Sequence, residues 1–232
     1  MTDASLETAR AAVLPIYFVA DESSSMEPVI EDLNAGLREL LDALHEEGMA
    51  AAKIRMTILG FSNECRCYLD LVDMREISSP PVLKADGGTS YAAAFTELVR
   101  RVDEDVDRLI DQGYKVNRPA VFFLTDGAPT DKVESSWRDQ LAKLKDPGYK
   151  RRQNILAFGI GQAQPRIILD VASEPNKAYV AATGASVGTA VSDFCTVLVQ
   201  SIVSSGNAAA SGQTTLVMDE PKGFKLAIDE VN

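Results

Sequence analysis

The sequence has little histidine, cysteine or tryptophan, and each scarcity excludes a class of protein. Its 232 residues include one histidine, three cysteines and one tryptophan. An odd number of cysteines does not fit a disulfide framework. Cys65 and Cys67 could hold zinc only with ligands from elsewhere, and His45 lies in a helical pattern with no ligand spacing around it. We therefore expect neither a disulfide-stapled protein nor a zinc site.

Excess positive charge and long apolar runs are also missing. The formal net charge is -11, and the densest basic cluster, Lys150-Arg151-Arg152, is explained by a solvated turn. A surface for nucleic acid or anionic lipid is therefore not expected. Residues 1–12 are mixed and polar, the apolar run after them is too short to span a bilayer, and no stretch of about 20 apolar residues follows. The sequence predicts a cytoplasmic protein.

What the sequence does contain is an alternation of strand and helix patterns. With 46% apolar and 25% charged residues, it has the composition of a globular domain. The predicted strands are 14–20, 54–61, 65–72, 119–125, 155–160 and 178–181, and the predicted helices are 28–48, 91–113, 134–144, 167–172 and 187–204. This order predicts an α/β fold, Rossmann-like and doubly wound, with a mostly parallel central sheet, one antiparallel edge strand and helices on both faces.

Composition divides the chain into three parts. We expect a lead-in over residues 1–12, one domain over 13–204, and a linker and tail rich in Ser, Gly and Ala over 205–232. Small and polar residues dominate the linker, which favours a flexible segment. Two short apolar patches, 216–218 and 224–228, would dock either on the domain itself or on another protein.

The first strand runs directly into side chains that carry oxygen. Asp21, Ser23 and Ser25 stand at i, i+2 and i+4 where the apolar run ends, so alternate side chains converge on one point. Carboxylate and hydroxyl oxygens are the ligands of hard divalent cations, and Mg²⁺ takes few protein ligands while keeping several waters. The spacing predicts a metal site at the carboxyl end of a strand.

The segment Asp21-Glu22-Ser23-Ser24-Ser25 resembles the DxSxS motif of von Willebrand factor A domains. In that family a threonine and an aspartate from two distant loops complete the site. The matching residues here are Thr89, in Asp86-Gly87-Gly88-Thr89-Ser90, and Asp126, in Leu124-Thr125-Asp126-Gly127. The resemblance covers roughly residues 14–204.

The resemblance implies a role for each side chain. Ser23 and Ser25 bind Mg²⁺ directly, Thr89 binds it in one state of the site, and Asp21 and Asp126 act directly or through water, with Mn²⁺ or Ca²⁺ as alternative ions. It also implies that a partner protein supplies a Glu or Asp to the ion, so the chain would bind proteins rather than catalyse. Asp21 and Asp126 would follow neighbouring strands, where the strand order reverses.

Some features near the motif have simpler interpretations. Ser24 replaces a glycine usual in the family, and Glu22 and Glu27 are best explained as solvated loop charges. Thr89 alone could be a plain helix N-cap. Thr130 and Asp131 are expected to cap the helix that starts near residue 134 rather than to bind metal.

Within the family, the sequence is similar to the bacterial TerY-like group of tellurium-resistance and stress-response gene clusters. The resemblance lies in the first strand with its motif, the segment Gly88-Thr89-Ser90-Tyr91, the segment Phe123-Leu124-Thr125-Asp126, and a Ser-rich extension after the last helix. It implies a phosphorylation-signalling context and a kinase or phosphatase of the same cluster as partner.

Two other classes remain open. A metal-dependent phosphatase or phosphotransferase also places an aspartate at a strand end, but it needs an acidic residue at i+2, where this chain has Ser23, and a positioned lysine. A serine hydrolase is excluded because no GxSxG motif is present. The second open class is a metal-free scaffold, in which the serines only cap the first helix.

Overall fold

A mostly parallel sheet forms the centre of the molecule. The structure, a computed structural model, describes residues 11–213, 216–218 and 221–231. Within them the strands are β1 (Ala12–Asp21), β2 (Ile54–Phe61), β3 (Cys65–Asp73), β4 (Lys115–Val116), β5 (Ala120–Thr125), β6 (Asn154–Gly159), β7 (Ala178–Ala181) and β8 (Phe224–Leu226). The short strand β4 was not predicted.

The direction in which successive strands are added to the sheet reverses beside β1. The sheet runs β3-β2-β1-β5-β6-β7-β8, with β4 pairing with the start of β1. Strand β1 lies parallel to β2 on one side and to β5 on the other, with Ala20 opposite Leu124. The prediction that the strands before Asp21 and Asp126 are neighbours is confirmed.

Helices cover both faces of the sheet. They are α1 (Ile30–Glu46), α2 (Gly48–Ala51), α3 (Tyr91–Asp111), α4 (Glu134–Lys145), α5 (Pro165–Val171) and α6 (Val187–Ala210). The predicted α/β fold is confirmed, with boundaries shifted by a few residues. One residue of the predicted buried stripe of α3 is misplaced: Ile110 is 47% exposed, whereas Leu109 in the same last turn is buried, so the buried face of the helix passes through Leu109 and not Ile110.

Alternation along β1 explains why its sequence is an unbroken apolar run. Ile16, Phe18 and Ala20 pack into the cluster under α1 and α6, whereas Tyr17 and Val19 pack into the cluster under α3, α4 and α5. A strand buried on both faces has no polar side to expose. The same argument applies to β5, whose six residues are all buried.

The C-terminal part of the chain differs from the expected linker. Helix α6 continues to Ala210, and Ser205, Gly206 and Ala209 are buried. A Cβ added at Gly206 would lie 2.7 Å from the Ala50 carbonyl oxygen, so the small residues allow α6 to approach α2 closely. Composition predicted a linker because Ser, Gly and Ala are typical of flexible segments, but here they make a tight helix contact.

The tail beyond α6 docks on the domain wherever it is described. Strand β8 pairs antiparallel with β7, and the Phe224 ring packs edge-on against Phe158 at 5.3 Å between centroids. The sheet therefore has a second antiparallel edge strand besides β3. Residues 1–10 of the predicted lead-in lie outside the described residues.

Helix α6 also bears on the expectation that no long apolar segment exists. Among the described residues, it is the one helix whose length and apolar composition would allow it to cross a membrane. In the fold it packs against α1 and α2, and Phe194, Leu198 and Ile202 are buried. Core helices of globular domains share this composition.

Candidate metal centre

The carboxyl ends of β1 and β5 bring together four of the five predicted ligands. Asp21 ends β1, and Asp126 follows β5 directly. The Ser25 hydroxyl donates to Asp126 Oδ1 at 2.7 Å and lies 3.0 Å from the Ser23 hydroxyl. The Ser23 backbone N–H donates to Asp21 Oδ1 at 2.8 Å. These contacts form one connected network of oxygen atoms at the edge of the sheet.

The fifth residue, Thr89, lies in the loop that packs between the two parts of this network. The backbone N–H of Ser24 donates to the Gly87 carbonyl at 3.0 Å, which joins the Thr89 loop to the DxSxS segment. On the other side, Thr130 N–H donates to the Thr89 carbonyl at 2.8 Å, and Thr89 N–H donates to Thr130 Oγ1 at 3.0 Å. Thr89 is 5% exposed. These backbone contacts position Thr89 without using its hydroxyl.

Thr89 is not the N-cap of α3. That position is Ser90, whose hydroxyl accepts from the Ala93 N–H at 3.1 Å. The interpretation of Thr89 as a plain cap is therefore wrong, because the helix begins one residue later.

Asp131 has a role that the sequence did not reveal. Its Oδ1 accepts from the Ser90 hydroxyl at 2.7 Å, and its Oδ2 accepts from the N–H groups of Tyr91 and Ala92 at 2.9 and 3.3 Å. Asp131, in the loop between β5 and α4, thus caps α3 and not α4 as predicted. The free N–H groups of α3 are its donors, and their proximity depends on the tertiary fold.

Glu22 is also placed differently from the prediction. It is only 3% exposed, and its Oε1 accepts from the Tyr68 hydroxyl at 2.7 Å and from the Lys84 N–H at 2.8 Å. Glu22 therefore fastens the DxSxS segment to β3 and to the loop before Thr89, and it is not a solvated charge. Glu27 is exposed, as predicted.

The serine hydroxyls do not cap a helix. The Ser23 side chain makes no capping hydrogen bond to the 3₁₀ turn Ser24–Met26. The N-cap of α1 is Val29, whose apolar side chain cannot accept a hydrogen bond. The hydroxyls instead face each other and Asp126. The geometry does not support the scaffold interpretation in the form predicted.

Two carboxylates in this network are buried without a compensating cation. Asp21 is fully buried, and desolvation raises its pKa to about 6 despite hydrogen bonds from Thr125 and Ser23, with Asp126 adding to the rise. Burial also raises the pKa of Asp126. Among the described residues neither carboxylate has a Lys or Arg partner. Buried charges are normally paired or bound to metal.

The donor set fits a hard divalent cation. Two carboxylates and three hydroxyls supply only oxygen ligands, which suits Mg²⁺, Mn²⁺ or Ca²⁺ and disfavours softer metals. The residues that the structure describes contain no group of three or more His, Cys, Asp and Glu side chains arranged for a metal. The predicted set is not a group of that kind, because it has two carboxylates and three hydroxyls.

The family model for the von Willebrand factor type A domain matches residues 16–193, a range that includes all five predicted ligands. The chain belongs to this family. VWA domains are commonly protein-interaction or adhesion modules rather than enzymes. No curated protein matches the sequence.

Solved structures share the VWA fold at low sequence identity. The pilus adhesin SpaC from Lactobacillus rhamnosus GG has a TM-score of 0.64 at 15% identity, over 83% of this chain and 31% of that one. A von Willebrand factor type A protein from Catenulispora acidiphila has 0.55 at 13%, over 83% and 43%. The ArnB paralog VWA2 from Sulfolobus acidocaldarius has 0.51 at 17%, over 83% and 46%. The chain thus spans less than half the length of each.

Replacement of Asp131 by alanine tests its capping role. We expect a loss of about 1–2 kcal/mol in the free energy of unfolding, because Ser90 and the first N–H groups of α3 lose their acceptor. We also expect roughly tenfold weaker metal binding, since Thr89 lies next to the released segment. Urea unfolding and metal titration measure the two effects. Asp139→Ala, an exposed change on α4, is the matched control and should alter neither.

Proposed function

We propose that this VWA domain is a metal-dependent protein-binding module, in which Asp21, Ser23, Ser25, Thr89 and Asp126 hold a Mg²⁺ ion that binds an acidic side chain of a partner. The observation that carries the proposal is the pair of buried carboxylates, Asp21 and Asp126, which no described Lys or Arg neutralises. A bound divalent cation would supply the missing positive charge. It would also offer a coordination position to the carboxylate of a partner's Glu or Asp.

The proposed site combines charged ligands, neutral ligands and residues that position them. The carboxylates of Asp21 and Asp126 supply negative charge from two adjacent strands, and the hydroxyls of Ser23, Ser25 and Thr89 supply neutral oxygens. Neutral ligands leave most of the ion's charge uncompensated, which favours a further anionic ligand from outside. Glu22 and Asp131 do not contact the ion in this proposal. They position the ligands indirectly, because they fix the loops that carry Ser23 and Thr89.

A binding role is favoured over the phosphatase or phosphotransferase alternative. Such enzymes need an acidic group two residues after the aspartate, and this position is Ser23, whose hydroxyl lies against Ser25. They also need a lysine at the aspartate, and none of the described lysines contacts Asp21.

The biological setting proposed for the module is a cytoplasmic bacterial stress-response or phosphorylation-signalling system. This rests on the similarity of the motif segments to the TerY-like group. A kinase or phosphatase from the same gene cluster is the proposed partner, and its surface Glu or Asp is the group that the site would bind.

Partner capture with and without metal tests the proposal. Immobilised protein should retain a partner from the products of neighbouring genes in Mg²⁺ or Mn²⁺, and at least about 100-fold less of it in chelator, because one bridging ion carries a central contact. Asp21→Asn should behave like chelation, whereas Glu27→Gln, an exposed change beside the motif, should bind normally. Capture that persists in chelator and in Asp21→Asn would rule out a metal bridge.

A further inference from the structure

The end of the sheet opposite the candidate metal centre carries a second cluster of functional groups. The connections that enter β5, β6 and β7 meet there, over residues 115–118, 149–152 and 176–177. Since β5 has six residues at about 3.3 Å each, roughly 20 Å of strand separates this end from Asp126. The two clusters are therefore separate sites on one domain.

Two cavities of about 670 and 690 Å³ lie side by side at this end. They share Val116, Asn117 and Arg118 as a common wall, so together they form a continuous depression, which we call the basic trough. Its far walls are Asn176 and Lys177 on one side and residues 149–152 on the other. The two cavities together offer far more volume than a single small ion fills.

Positive charge is concentrated in the basic trough, although the chain as a whole is strongly acidic. Among the residues that the structure describes, six cationic side chains line it and no carboxylate does: Lys115, Arg118, Lys150, Arg151, Arg152 and Lys177. Arg151 pairs with Asp103 and Asp107, and Lys177 pairs with Glu174. The other four have no ion-pair partner among the residues described. A cluster of unpaired cations in a chain of net charge -11 attracts anionic groups locally.

A buried acceptor that lacks a partner among the described residues belongs to the shared wall of the basic trough. Asn117 is 4% exposed, lines both cavities, and its Oδ1 has no hydrogen-bond partner within the described part of the chain. Its backbone N–H donates to the Val13 carbonyl at 2.8 Å, which fixes the residue in place. A buried acceptor without a donor is costly, so rotation of this side chain toward the cavities would be favoured by a ligand that brings a donor. Backbone N–H groups of a peptide are such donors.

Apolar side chains between the cations favour a peptide over other anions. Val116, Leu156 and Ile110 line the cavities, and Ile110 is 47% exposed. A nucleic acid or lipid surface extends far beyond the basic trough and would meet the acidic remainder of the domain, whereas a short peptide would not.

We propose that the basic trough binds an extended acidic peptide segment of a partner protein. The partner's carboxylates pair with Lys115, Arg118, Lys150 and Arg152. Its apolar side chains pack on Val116 and Ile110, and a backbone N–H donates to Asn117 Oδ1. The domain would then bind one protein through its metal and another at the opposite end.

Fluorescence anisotropy tests this in chelator, so that the result does not depend on the metal centre. The probe is a short fluorescein-labelled peptide of alternating glutamate and leucine, titrated with the full chain at low and physiological salt. Arg118→Glu/Lys150→Glu, both exposed in the wild type, should weaken binding by at least about tenfold, and salt should weaken the wild-type affinity. A peptide of alternating serine and leucine should not bind measurably.

The matched control is Arg38→Glu/Lys143→Glu, which makes the same charge change at exposed positions on α1 and α4. It should weaken binding less than about twofold, since it lies away from the basic trough. Equal losses in the two double variants would overturn the proposal. A single-stranded oligonucleotide of equal charge that bound more tightly than the acidic peptide would also overturn it, in favour of a nucleic-acid site.

Discussion

Magnesium at about 100 times its dissociation constant should raise the melting temperature of this protein by roughly 5–10 °C. Binding to the native state alone stabilises it by about 2.7 kcal/mol at that concentration. The cause in this fold is the repulsion and desolvation of Asp21 and Asp126, which a cation would relieve. Differential scanning calorimetry with and without chelator measures the shift, and Mn²⁺ should act similarly.

Asp21→Asn should remove this metal-dependent shift. Asparagine keeps an acceptor for the Ser23 N–H and a group that hydrogen-bonds to Thr125, so the fold should persist. Without metal, the melting temperature of the variant should equal or exceed that of the wild type, because the variant has lost a buried charge that costs stability. Glu27→Gln should retain the full shift. An equal shift in Asp21→Asn and the wild type would place the ion elsewhere.

Phe123→Ala should cost about 3–5 kcal/mol in the free energy of unfolding. Phe123 lies at the centre of an aromatic cluster beneath the candidate metal centre, stacked on Phe61 and Phe95 with centroids 5.3 Å apart in both cases, and edge-on to Tyr91 at 5.1 Å. Removal of the ring leaves a cavity that these fixed neighbours cannot fill. Since small domains have only about 5–15 kcal/mol of stability, urea unfolding should reveal a large loss.

Phe123→Leu is the matched control for this cavity. It keeps most of the apolar volume and should cost less than about 1.5 kcal/mol. Equal losses for the alanine and leucine variants would show that the volume at position 123 does not control stability. The cluster also bears on the site, because Tyr91 donates its hydroxyl proton to the Gly127 carbonyl beside Asp126.

Local patterns were sufficient to predict the central strands of the sheet and the longer helices, but not β4, β8 or α2. The apolar runs before Asp21 and Asp126 have no polar face, which requires burial on both sides and hence central parallel strands. The three-residue and four-residue spacing of leucines in α1 indicated an amphipathic helix. The resemblance to VWA domains then selected Thr89 and Asp126 as companions of the DxSxS motif, and the fold brings the Asp126 carboxylate to the Ser25 hydroxyl.

Other features depend on contacts between distant segments, which local patterns do not contain. Asp131 caps a helix that begins 40 residues earlier in the chain. Glu22 is buried because Tyr68 and Lys84 donate to it from β3 and the next loop. The basic trough collects cations from three connections, of which the sequence showed only the trio at 150–152. The small residues 205–210 have the composition of a linker, but they are helical because α2 packs closely against them.

The central claim is that Asp21, Ser23, Ser25, Thr89 and Asp126 hold one divalent ion. An anomalous-difference map from crystals soaked in Mn²⁺ tests it most directly. We expect one strong peak in direct contact with the hydroxyl oxygens of Ser23 and Ser25, between the ends of β1 and β5. A map with no peak there, or with manganese bound only elsewhere on the surface, would contradict it.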